Sequence, residues 1–435
     1  MIRNNIILTE PAPESWNSLC ERPAASLEDL ESIVAPILLD VQLHGDEAVR
    51  KYAATFDKFE GEDLCIGLKD IEASSALLEP ALRDAIDIAY ANIRKFHEAQ
   101  IESVSVIETM PGVRCWRKPV GIQKVGLYIP GGTAPLFSTM LMLGIPAMIA
   151  GCEEVIVCSP ANADGKLHPA LLYAASLIGL EKVYRIGGVQ AIAAMAYGTE
   201  TIPKVFKIFG PGNQYVTLAK QLVSRTGTSI DMPAGPSEVL VYADETADPS
   251  FVAADLLSQA EHGIDSQVVL VASAETVVKK ILVEIDLQIE NLPRKDIANE
   301  ALVNSRFIVL ENINTALDFI NMYAPEHLIL STDQADKIAE QVMNAGSVFL
   351  GHYTPESAGD YASGTNHTLP TNGYATTYSG VSIDSFVKKI TFQQISREGL
   401  KRIGPAVEQM AMAEGLDAHK NAVSLRLGKI STDEK

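Results

Sequence analysis

The feature that most constrains the fold is a repeated alternation of short β-branched runs with longer segments of helical periodicity, which begins after Pro119. Turn residues bound these runs, and apolar residues at helical spacing follow them, so each run is predicted to be a buried strand leading into a helix. The first series is predicted at 125–129, 154–158, 182–186 and 204–209, and the second at 238–242, 267–272, 306–310, 327–330 and 347–350. Strands that alternate with helices form parallel sheets. The predicted fold class is therefore α/β, with two doubly wound, Rossmann-like parallel-sheet domains and helical N- and C-terminal extensions.

The length of 435 residues is enough for two or three domains. We predict a helical N-terminal arm over 1–118, a Rossmann-like domain over 119–236, a second α/β domain over 237–383 and a helical tail over 384–435. Within the arm, the helical pattern from Leu27 to Phe56 is expected to break at Gly45. We expect ligands in a cleft between the two sheets, where the C-terminal ends of strands gather.

Composition narrows the class of partner. Apolar residues make up 47% and charged residues 21% of the chain, which is a globular balance. A formal charge of -20 opposes binding to nucleic acid. The longest apolar run, 136–150, is shorter than the ~20 residues that cross a bilayer, and we predict a buried helix. No secretion or import signal is recognised at the N-terminus, and the five cysteines form no C-x-x-C pair. We expect a cytoplasmic protein with reduced thiols and a small-molecule substrate, and neither a nucleic-acid nor a membrane partner.

Three glycine turns follow predicted strands of the first series. Gly210-Pro211-Gly212-Asn213 opens a helical stretch, and its backbone N–H groups are suited to a dinucleotide phosphate. A plain tight turn is an equal alternative, because the dinucleotide fingerprint is incomplete. Pro130-Gly131-Gly132 and Gly187-Gly188 are equivalent strand-to-helix turns. Three such turns at one edge of a sheet describe a crevice.

A metal site is indicated by Gln259 and His262, which are three residues apart on a helix predicted from about Asp248 to Gly263. Asp360, in a predicted loop, would add an anionic ligand, and His419 lies in the helical tail. Two histidines, an aspartate and an amide suit Zn²⁺ better than Mg²⁺ or Ca²⁺. Capping of the helix end by Gln259 is the structural alternative.

The dipeptide Glu326-His327 follows Pro325, at a predicted change from helix to strand. Neighbouring residues of a strand point to opposite faces, so both side chains can reach one site only from a bend. Histidine titrates near neutral pH and suits a general base, while a glutamate can activate water. A structural histidine that bonds to backbone is the alternative.

Four segments carry a resemblance that extends over nearly the whole chain, and the sequence resembles the histidinol dehydrogenases. These segments are Ile230-Asp231-Met232-Pro233-Ala234-Gly235-Pro236-Ser237-Glu238-Val239, Leu257-Ser258-Gln259-Ala260-Glu261-His262-Gly263, Tyr323-Ala324-Pro325-Glu326-His327-Leu328 and Ser357-Ala358-Gly359-Asp360-Tyr361-Ala362-Ser363-Gly364-Thr365-Asn366-His367. The resemblance implies a zinc-dependent enzyme that oxidises L-histidinol through L-histidinal to L-histidine with two NAD molecules, the last step of histidine biosynthesis.

The resemblance also assigns residues. It implies one Zn²⁺ per subunit, with Gln259, His262, Asp360 and His419 as ligands that also contact the substrate. Further substrate contacts would come from Ser237, His327 and Glu414, and NAD contacts from Tyr128, Gln190 and Asn213. It implies a homodimer in which His419 completes the partner's site. His327 would act as general base in both oxidations and Glu326 would activate water, whereas the metal would either polarise the reacting oxygen or fix the substrate.

Three rival interpretations use the same residues differently. A thiol, Cys115 or Cys152, could hold the aldehyde covalently, although neither has an activating neighbour in the sequence. A zinc hydrolase could use the His/Asp/Glu set with Glu326 as base, but it would have no use for the glycine turns. A two-domain solute-binding protein would also have a cleft, but the chain has a surplus of acid-base residues.

Overall fold

The predicted α/β class is confirmed by the computed structural model, which describes residues 7–23, 27–131, 136–233 and 235–433. The chain divides into two compact units. The first comprises Met1–Gln100 and Ile122–Phe386, and the second comprises Ile101–Gly121 and Val387–Lys435. Each unit has its own sheet system. Among the described residues, no helix combines the length and apolarity that crossing a membrane requires.

Two six-stranded sheets form the centre of the first unit. Sheet I has the order β2-β7-β6-β5-β8-β9, with β2 antiparallel and the others parallel, and sheet II has the all-parallel order β1-β12-β11-β10-β13-β14. The strands of sheet I are β2 (Cys65–Gly67), β5 (Lys124–Tyr128), β6 (Glu154–Cys158), β7 (Lys182–Tyr184), β8 (Lys207–Phe209) and β9 (Ser229–Ile230). Those of sheet II are β1 (Ile7–Thr9), β10 (Glu238–Ala243), β11 (Gln267–Ala272), β12 (Arg306–Val309), β13 (His327–Ser331) and β14 (Ser347–Leu350).

The same strand order occurs in both sheets. If the last five strands of each sheet are numbered by their order along the chain, their order across the sheet is 3-2-1-4-5. This is the doubly wound arrangement. The reversal falls between β5 and β8 in sheet I and between β10 and β13 in sheet II. All nine strands predicted for the two series are present, with ends that differ by three residues or fewer. They were predictable because strands covered on both faces are continuously apolar.

Helices cover both sheets of the first unit. They are α1 (Trp16–Leu19), α2 (Leu27–Tyr52), α3 (Leu68–Ala73), α4 (Pro80–Glu98), α5 (Phe137–Ile149), α6 (Pro169–Leu177), α7 (Gly188–Tyr197), α8 (Gln214–Ser224), α9 (Pro249–Ala260), α10 (Glu275–Ile289), α11 (Lys295–Val303), α12 (Ile313–Tyr323), α13 (Ala335–Ala339), α14 (Glu356–Tyr361) and α15 (Ile383–Phe386). Helix α5 is the predicted buried helix, with Ser138 to Ala147 all buried. Helix α2 breaks at Gly45, as predicted, where φ is 51°.

The second unit contains an antiparallel sheet and a pair of helices. Its sheet has the order β15-β4-β3, with β3 at Val106–Met110, β4 at Val113–Gly121 and β15 at Val387–Ile395. Helices α16 (Arg397–Ala413) and α17 (Asp417–Asp433) follow. The prediction of only helices before Pro119 and after Asp384 is therefore wrong at β3, β4 and β15, and it is also wrong at β1 and β2 of the first unit. In β3, β4 and β15, polar and charged residues interrupt the apolar residues irregularly, and Trp116 pairs with Phe392 at 5.5 Å between ring centroids.

Candidate active site

A large cavity lies at the carboxyl edge of sheet I. Its volume is about 1180 Å³, and its wall contains Tyr128, Gln190 and Asn213, the residues expected to meet a dinucleotide. Tyr128 ends β5, Gln190 lies in the first turn of α7, and Asn213 caps α8. The three glycine turns thus meet at one crevice, although Gly132 lies outside the described residues.

Backbone groups shape this cavity. The Gly188 N–H donates to the Tyr128 hydroxyl at 3.1 Å, and burial raises the pKa of Tyr128 to about 12. The Asn213 carboxamide oxygen accepts from the N–H groups of Tyr215 and Val216, both at 3.1 Å. Gly210 has a φ of 125°, and a Cβ there would collide with the Tyr128 carbonyl oxygen. Only glycine therefore permits this close approach of two strand ends.

Asp57 joins the cavity wall from a π-helical turn, Ala53–Asp57, that follows α2. Gln190 Nε2 donates to its carboxylate at 3.4 Å, and burial raises the pKa of Asp57 to about 6. The Oε1 atom of Gln190 is buried without a hydrogen-bond partner. Nothing in the sequence pattern marked Asp57, because it reaches the site from a helix distant in sequence.

A cluster of ionisable residues lies at the other sheet, where β10 and β13 begin. Helix α12 ends at Tyr323, Ala324 takes a left-handed φ of 51°, and His327 starts β13 after Pro325. Glu326 and His327 are 5% and 4% exposed, and Glu326 Oε2 lies 3.6 Å from His327 Nδ1. The bend therefore lets both side chains meet. The cluster occupies the amino edge of sheet II, so the expectation of a site at carboxyl ends is wrong for this sheet.

Further carboxylates surround the His327 ring. Its Nε2 lies 3.4 Å from Asp360 Oδ1, and its Nδ1 lies 3.7 Å from Glu356 Oε1. His327, Glu356 and Asp360 each offer a metal-ligand atom, and these atoms lie within 4.8 Å of one another. Asp360 belongs to helix α14 instead of the predicted loop, because a helical turn starts directly after Pro355. His327 Nδ1 also lies 3.3 Å from the Glu238 carbonyl oxygen.

Burial and the charges of neighbouring groups determine the pKa values of the residues in this cluster. Burial raises the pKa of Glu326 to about 8, although His327 opposes the shift. Burial alone would lower the pKa of His327, but Glu356, Glu326 and Asp360 outweigh it and raise that pKa well above its ordinary value. Burial would raise the pKa of Asp360, but contact with His327 and the charges of His367 and His262 lower it.

The other expected metal ligands differ in their surroundings. Gln259 is 0% exposed, and both polar atoms of its side chain lack a hydrogen-bond partner. Helix α9 ends at Ala260, so His262 lies just beyond it and is exposed, which corrects the predicted helix end at Gly263. Ser237 is half-buried and directly precedes β10. Glu414 and His419 are exposed residues of the second unit, and their roles stay predictions.

Sequence reasoning missed two acidic residues of the cluster. Glu356 lies one helical turn before Asp360, and a Pro-Glu pair that begins a helix was an available signal. Glu238 carries no such signal, because it reaches the dipeptide through strand pairing, with Val239 opposite His327. Long-range sheet register is invisible in a single sequence.

The fold and these two features define a doubly wound α/β enzyme that has a nucleotide-sized cavity at one sheet and a buried acid-base cluster at the other. The histidinol dehydrogenase family profile matches residues 20–427. A histidinol dehydrogenase of Bacteroides thetaiotaomicron is 56% identical over 98% of this chain and 99% of its own length. One from Vibrio parahaemolyticus is 51% identical over 96% and 97%. The crystal structure of histidinol dehydrogenase from Elizabethkingia anophelis superposes with a TM-score of 0.95 and 52% identity, over 99% of this chain and 100% of that one. The chain belongs to the histidinol dehydrogenase family, which confirms the resemblance seen in its motifs.

Proposed function

We propose that this protein oxidises L-histidinol through L-histidinal to L-histidine, with two NAD molecules and one Zn²⁺ per subunit, as the last step of histidine biosynthesis. The observation that carries the proposal is the contact of the buried side chains of Glu326 and His327 beside Asp360. A proton acceptor for the substrate and a carboxylate that activates water are both needed, because the two oxidations start from an alcohol and an aldehyde. Membership of the histidinol dehydrogenase family supports L-histidinol as the substrate.

The cavity at sheet I supports NAD as the oxidant. It lies at the edge where α7 and α8 begin, and the first N–H groups of a helix have no intrahelical partner and attract phosphate. Tyr128, Gln190 and Asn213 would hold the dinucleotide there. The unpartnered Oε1 of Gln190 fits a ligand that donates a hydrogen bond.

The residues present fit a metal ion. Both side-chain polar atoms of Gln259 are buried and unsatisfied, which is costly unless a ligand binds one of them. Gln259, His262 and Asp360 would hold the ion with His419, and this amide, imidazole and carboxylate set suits Zn²⁺. When bound, the ion would supply positive charge that engages the Asp360 carboxylate and so favours the neutral form of His327.

In the alcohol step, His327 takes the hydroxyl proton. A carbonyl oxygen only accepts, so the contact with the Glu238 carbonyl gives Nδ1 the proton and leaves Nε2 as the basic atom. As Nε2 takes the proton, a hydride leaves the carbinol carbon for the nicotinamide, and the C–O bond becomes a carbonyl. The alcohol and one NAD⁺ give histidinal, one NADH and one proton.

In the aldehyde step, Glu326 takes a proton from water while the water oxygen adds to the carbonyl carbon. The former carbonyl oxygen takes the proton that His327 gained in the alcohol step, which gives a gem-diol and leaves His327 neutral. His327 then removes a hydroxyl proton as the second hydride leaves for the nicotinamide of a second NAD⁺. The aldehyde, water and NAD⁺ give the carboxylate, NADH and two protons. The raised pKa of Glu326 makes its carboxylate a stronger base than an ordinary glutamate.

The thiol alternative has less support. Cys152 is buried, and burial raises its pKa to about 11, which disfavours the reactive thiolate. Its Sγ donates to the Phe386 carbonyl oxygen at 3.9 Å. Replacement of Cys115 and Cys152 by serine should leave both oxidations intact. Loss of histidine formation with retained alcohol oxidation would favour a thiol mechanism.

We also propose a cytoplasmic homodimer in which Glu414 and His419 complete the partner's site. A mixture of His327→Asn and His419→Ala subunits tests this arrangement. If sites are shared, the mixed dimer contains one intact site, and activity reappears after the two inactive proteins are unfolded and refolded together. If each chain builds its own site, the mixture stays inactive.

One experiment tests the whole function. NADH formation from histidinol is followed before chelation, after chelation, and after Zn²⁺ is restored, with bound metal measured in parallel. We expect activity to disappear and return with the metal, and Gln259→Ala to lower metal content. Activity that survives complete metal removal would contradict the ligand assignment. Amide cleavage without NAD would favour the zinc hydrolase.

A further inference from the structure

We infer that Arg22 is a positioning residue, which orients the Glu326 carboxylate through Glu238. The inference rests on the roles proposed above for Glu326 and His327. Arg22 lies in the segment between α1 and α2, far in sequence from both strands. Its side chain is only 8% exposed, and that of Glu238 is 1% exposed.

The Arg22 guanidinium holds Glu238 with two parallel hydrogen bonds. Nε donates to Glu238 Oε2 at 2.8 Å, and Nη2 donates to Oε1 at 3.0 Å. A bidentate pair fixes both the position and the plane of a carboxylate. The carboxylate of Glu238 therefore has one orientation, which lysine in place of arginine would not impose.

Glu238 in turn contacts the dipeptide with three separate groups. Its N–H donates to Glu326 Oε2 at 2.9 Å, and its own Oε1 accepts from the Glu326 N–H at 3.3 Å. Its carbonyl oxygen faces His327 Nδ1. This reciprocal arrangement fixes the main chain and the carboxylate of Glu326 together. It follows from the pairing of β10 with β13, which places Glu238 beside Glu326.

Arg22 also holds the bend from which Glu326 projects. Nη2 donates to the Tyr323 carbonyl oxygen at 2.5 Å, and the guanidinium carbon lies 3.7 Å from the centroid of the Tyr323 ring. The next residue, Ala324, has a φ of 51°, a conformation that non-glycine residues adopt only when their surroundings enforce it. One side chain thus braces both strands that converge on the water-activating carboxylate.

A buried ion pair is weak evidence for stability, because apolar residues of similar volume often replace such pairs without loss. The Arg22–Glu238 ion pair instead fixes the orientation of the Glu238 carboxylate. The Arg22 charge also compensates Glu238, which would otherwise place an unpaired negative charge beside Glu326. A carboxylate that must deliver water to a carbonyl carbon depends on its angle and distance. Proton transfer at His327 Nε2 depends less on the angle and distance of the Glu326 carboxylate, since Nε2 faces away from Glu238.

The two half-reactions can be measured separately on the zinc-loaded protein. Histidinal with NAD⁺ reports the aldehyde oxidation, and histidinal with NADH reports the reverse of the alcohol oxidation. In Arg22→Lys, which keeps the charge but loses the bidentate contact, we expect kcat for aldehyde oxidation to fall by about tenfold. We expect kcat for histidinal reduction to change by less than about twofold, with both KM values within about twofold of wild type.

Val278→Ala is the control for a loss of stability alone, because it truncates a fully buried apolar side chain of α10 in the core at sheet II. It should lower the melting temperature and leave the ratio of the two rates unchanged. Equal losses in both half-reactions of Arg22→Lys, or the same ratio change in Val278→Ala, would overturn the inference.

Glu238→Gln provides a second test if Arg22→Lys does not fold. It keeps the backbone contacts to Glu326 and His327 but loses the charge that holds Arg22. We expect the same selective loss in aldehyde oxidation, and an unchanged ratio would again overturn the inference. A wild-type protein that oxidises neither histidinol nor histidinal would instead refute the proposed function. That result is distinct from failure of the Arg22 inference, which concerns only the ratio of the two rates.

Discussion

The two sheets have the same central strand order, but they gather their functional side chains at opposite edges. In sheet I, a cavity lies where the strands end and is shaped by glycine turns and apolar residues. In sheet II, the ionisable cluster lies where β10 and β13 begin. The two sheets therefore share one topology but carry different types of site. One edge offers backbone donors for binding, and the other offers side chains for chemistry.

Helix direction determines which sign of charge each of these two edges favours. Helices α7 and α8 begin at the carboxyl edge of sheet I, where their partial positive charge favours an anion such as a phosphate. Helices α9 and α12 end at the amino edge of sheet II, close to Gln259 and Glu326. The C-terminal end of a helix carries partial negative charge, which favours a cation. The sheet II edge is thus suited to a metal ion, and the sheet I edge to a dinucleotide.

The largest expected effect comes from removal of the base. His327→Asn should lower kcat for both half-reactions by about 10²–10⁴-fold, because both need proton transfer at Nε2. Metal content should be unchanged, since His327 is not one of the proposed ligands. Measurement of both rates and of bound zinc checks the prediction. Loss of the metal would instead assign the ion to His327, Glu356 and Asp360, which lie within ligand distance of one another.

Glu326→Gln should separate the two half-reactions. Aldehyde oxidation should fall by about 10²-fold, because an amide cannot take a proton from water. Histidinal reduction should be nearly unaffected, as it consumes no water. The substitution preserves size, and its carboxamide oxygen still accepts from the Glu238 N–H. An equal loss in both directions would mean that Glu326 acts structurally at this edge.

The pH dependence tests the same carboxyl group. Burial raises the pKa of Glu326 to about 8, and the group must be deprotonated to act as a base. Aldehyde oxidation should therefore rise with pH by up to about tenfold per unit below pH 8 and level off above it. Histidinal reduction should not rise, since that direction requires a protonated His327. The limb near pH 8 should disappear in Glu326→Gln, and its persistence there would assign it to another group.

The sequence predicted the crevice at sheet I better than the arrangement at sheet II. Strand ends followed by glycine turns are local patterns, so the crevice at which these turns meet could be foreseen. Tyr128, Gln190 and Asn213 in its wall were named from the family resemblance. The individual residues Glu326, His327 and Gln259 could also be named from their motifs. The edge of sheet II at which these residues lie could not be predicted. It depends on a bend at Ala324 and on contacts from residues distant in sequence, namely Arg22, Glu238 and Glu356. Strands β3, β4 and β15 were missed because their alternation is partly polar and weak.

The smallest expected effect concerns the carboxyl edges of both sheets. Asn213 caps α8 after sheet I strand β8, and Asn312 caps α12 after sheet II strand β12, each through a side-chain oxygen that accepts two N–H groups. Asn213→Ala and Asn312→Ala should each lower the free energy of unfolding by about 0.5–2 kcal/mol. Only Asn213→Ala should also raise the KM for NAD, by about fivefold, because one lost hydrogen bond to a ligand is worth about 1 kcal/mol. The two variants therefore separate a cap that only starts a helix from one that also lines a cofactor cavity. Equal KM values for NAD in the two variants would show that the carboxyl edge of sheet I, like that of sheet II, has a purely structural asparagine at this position.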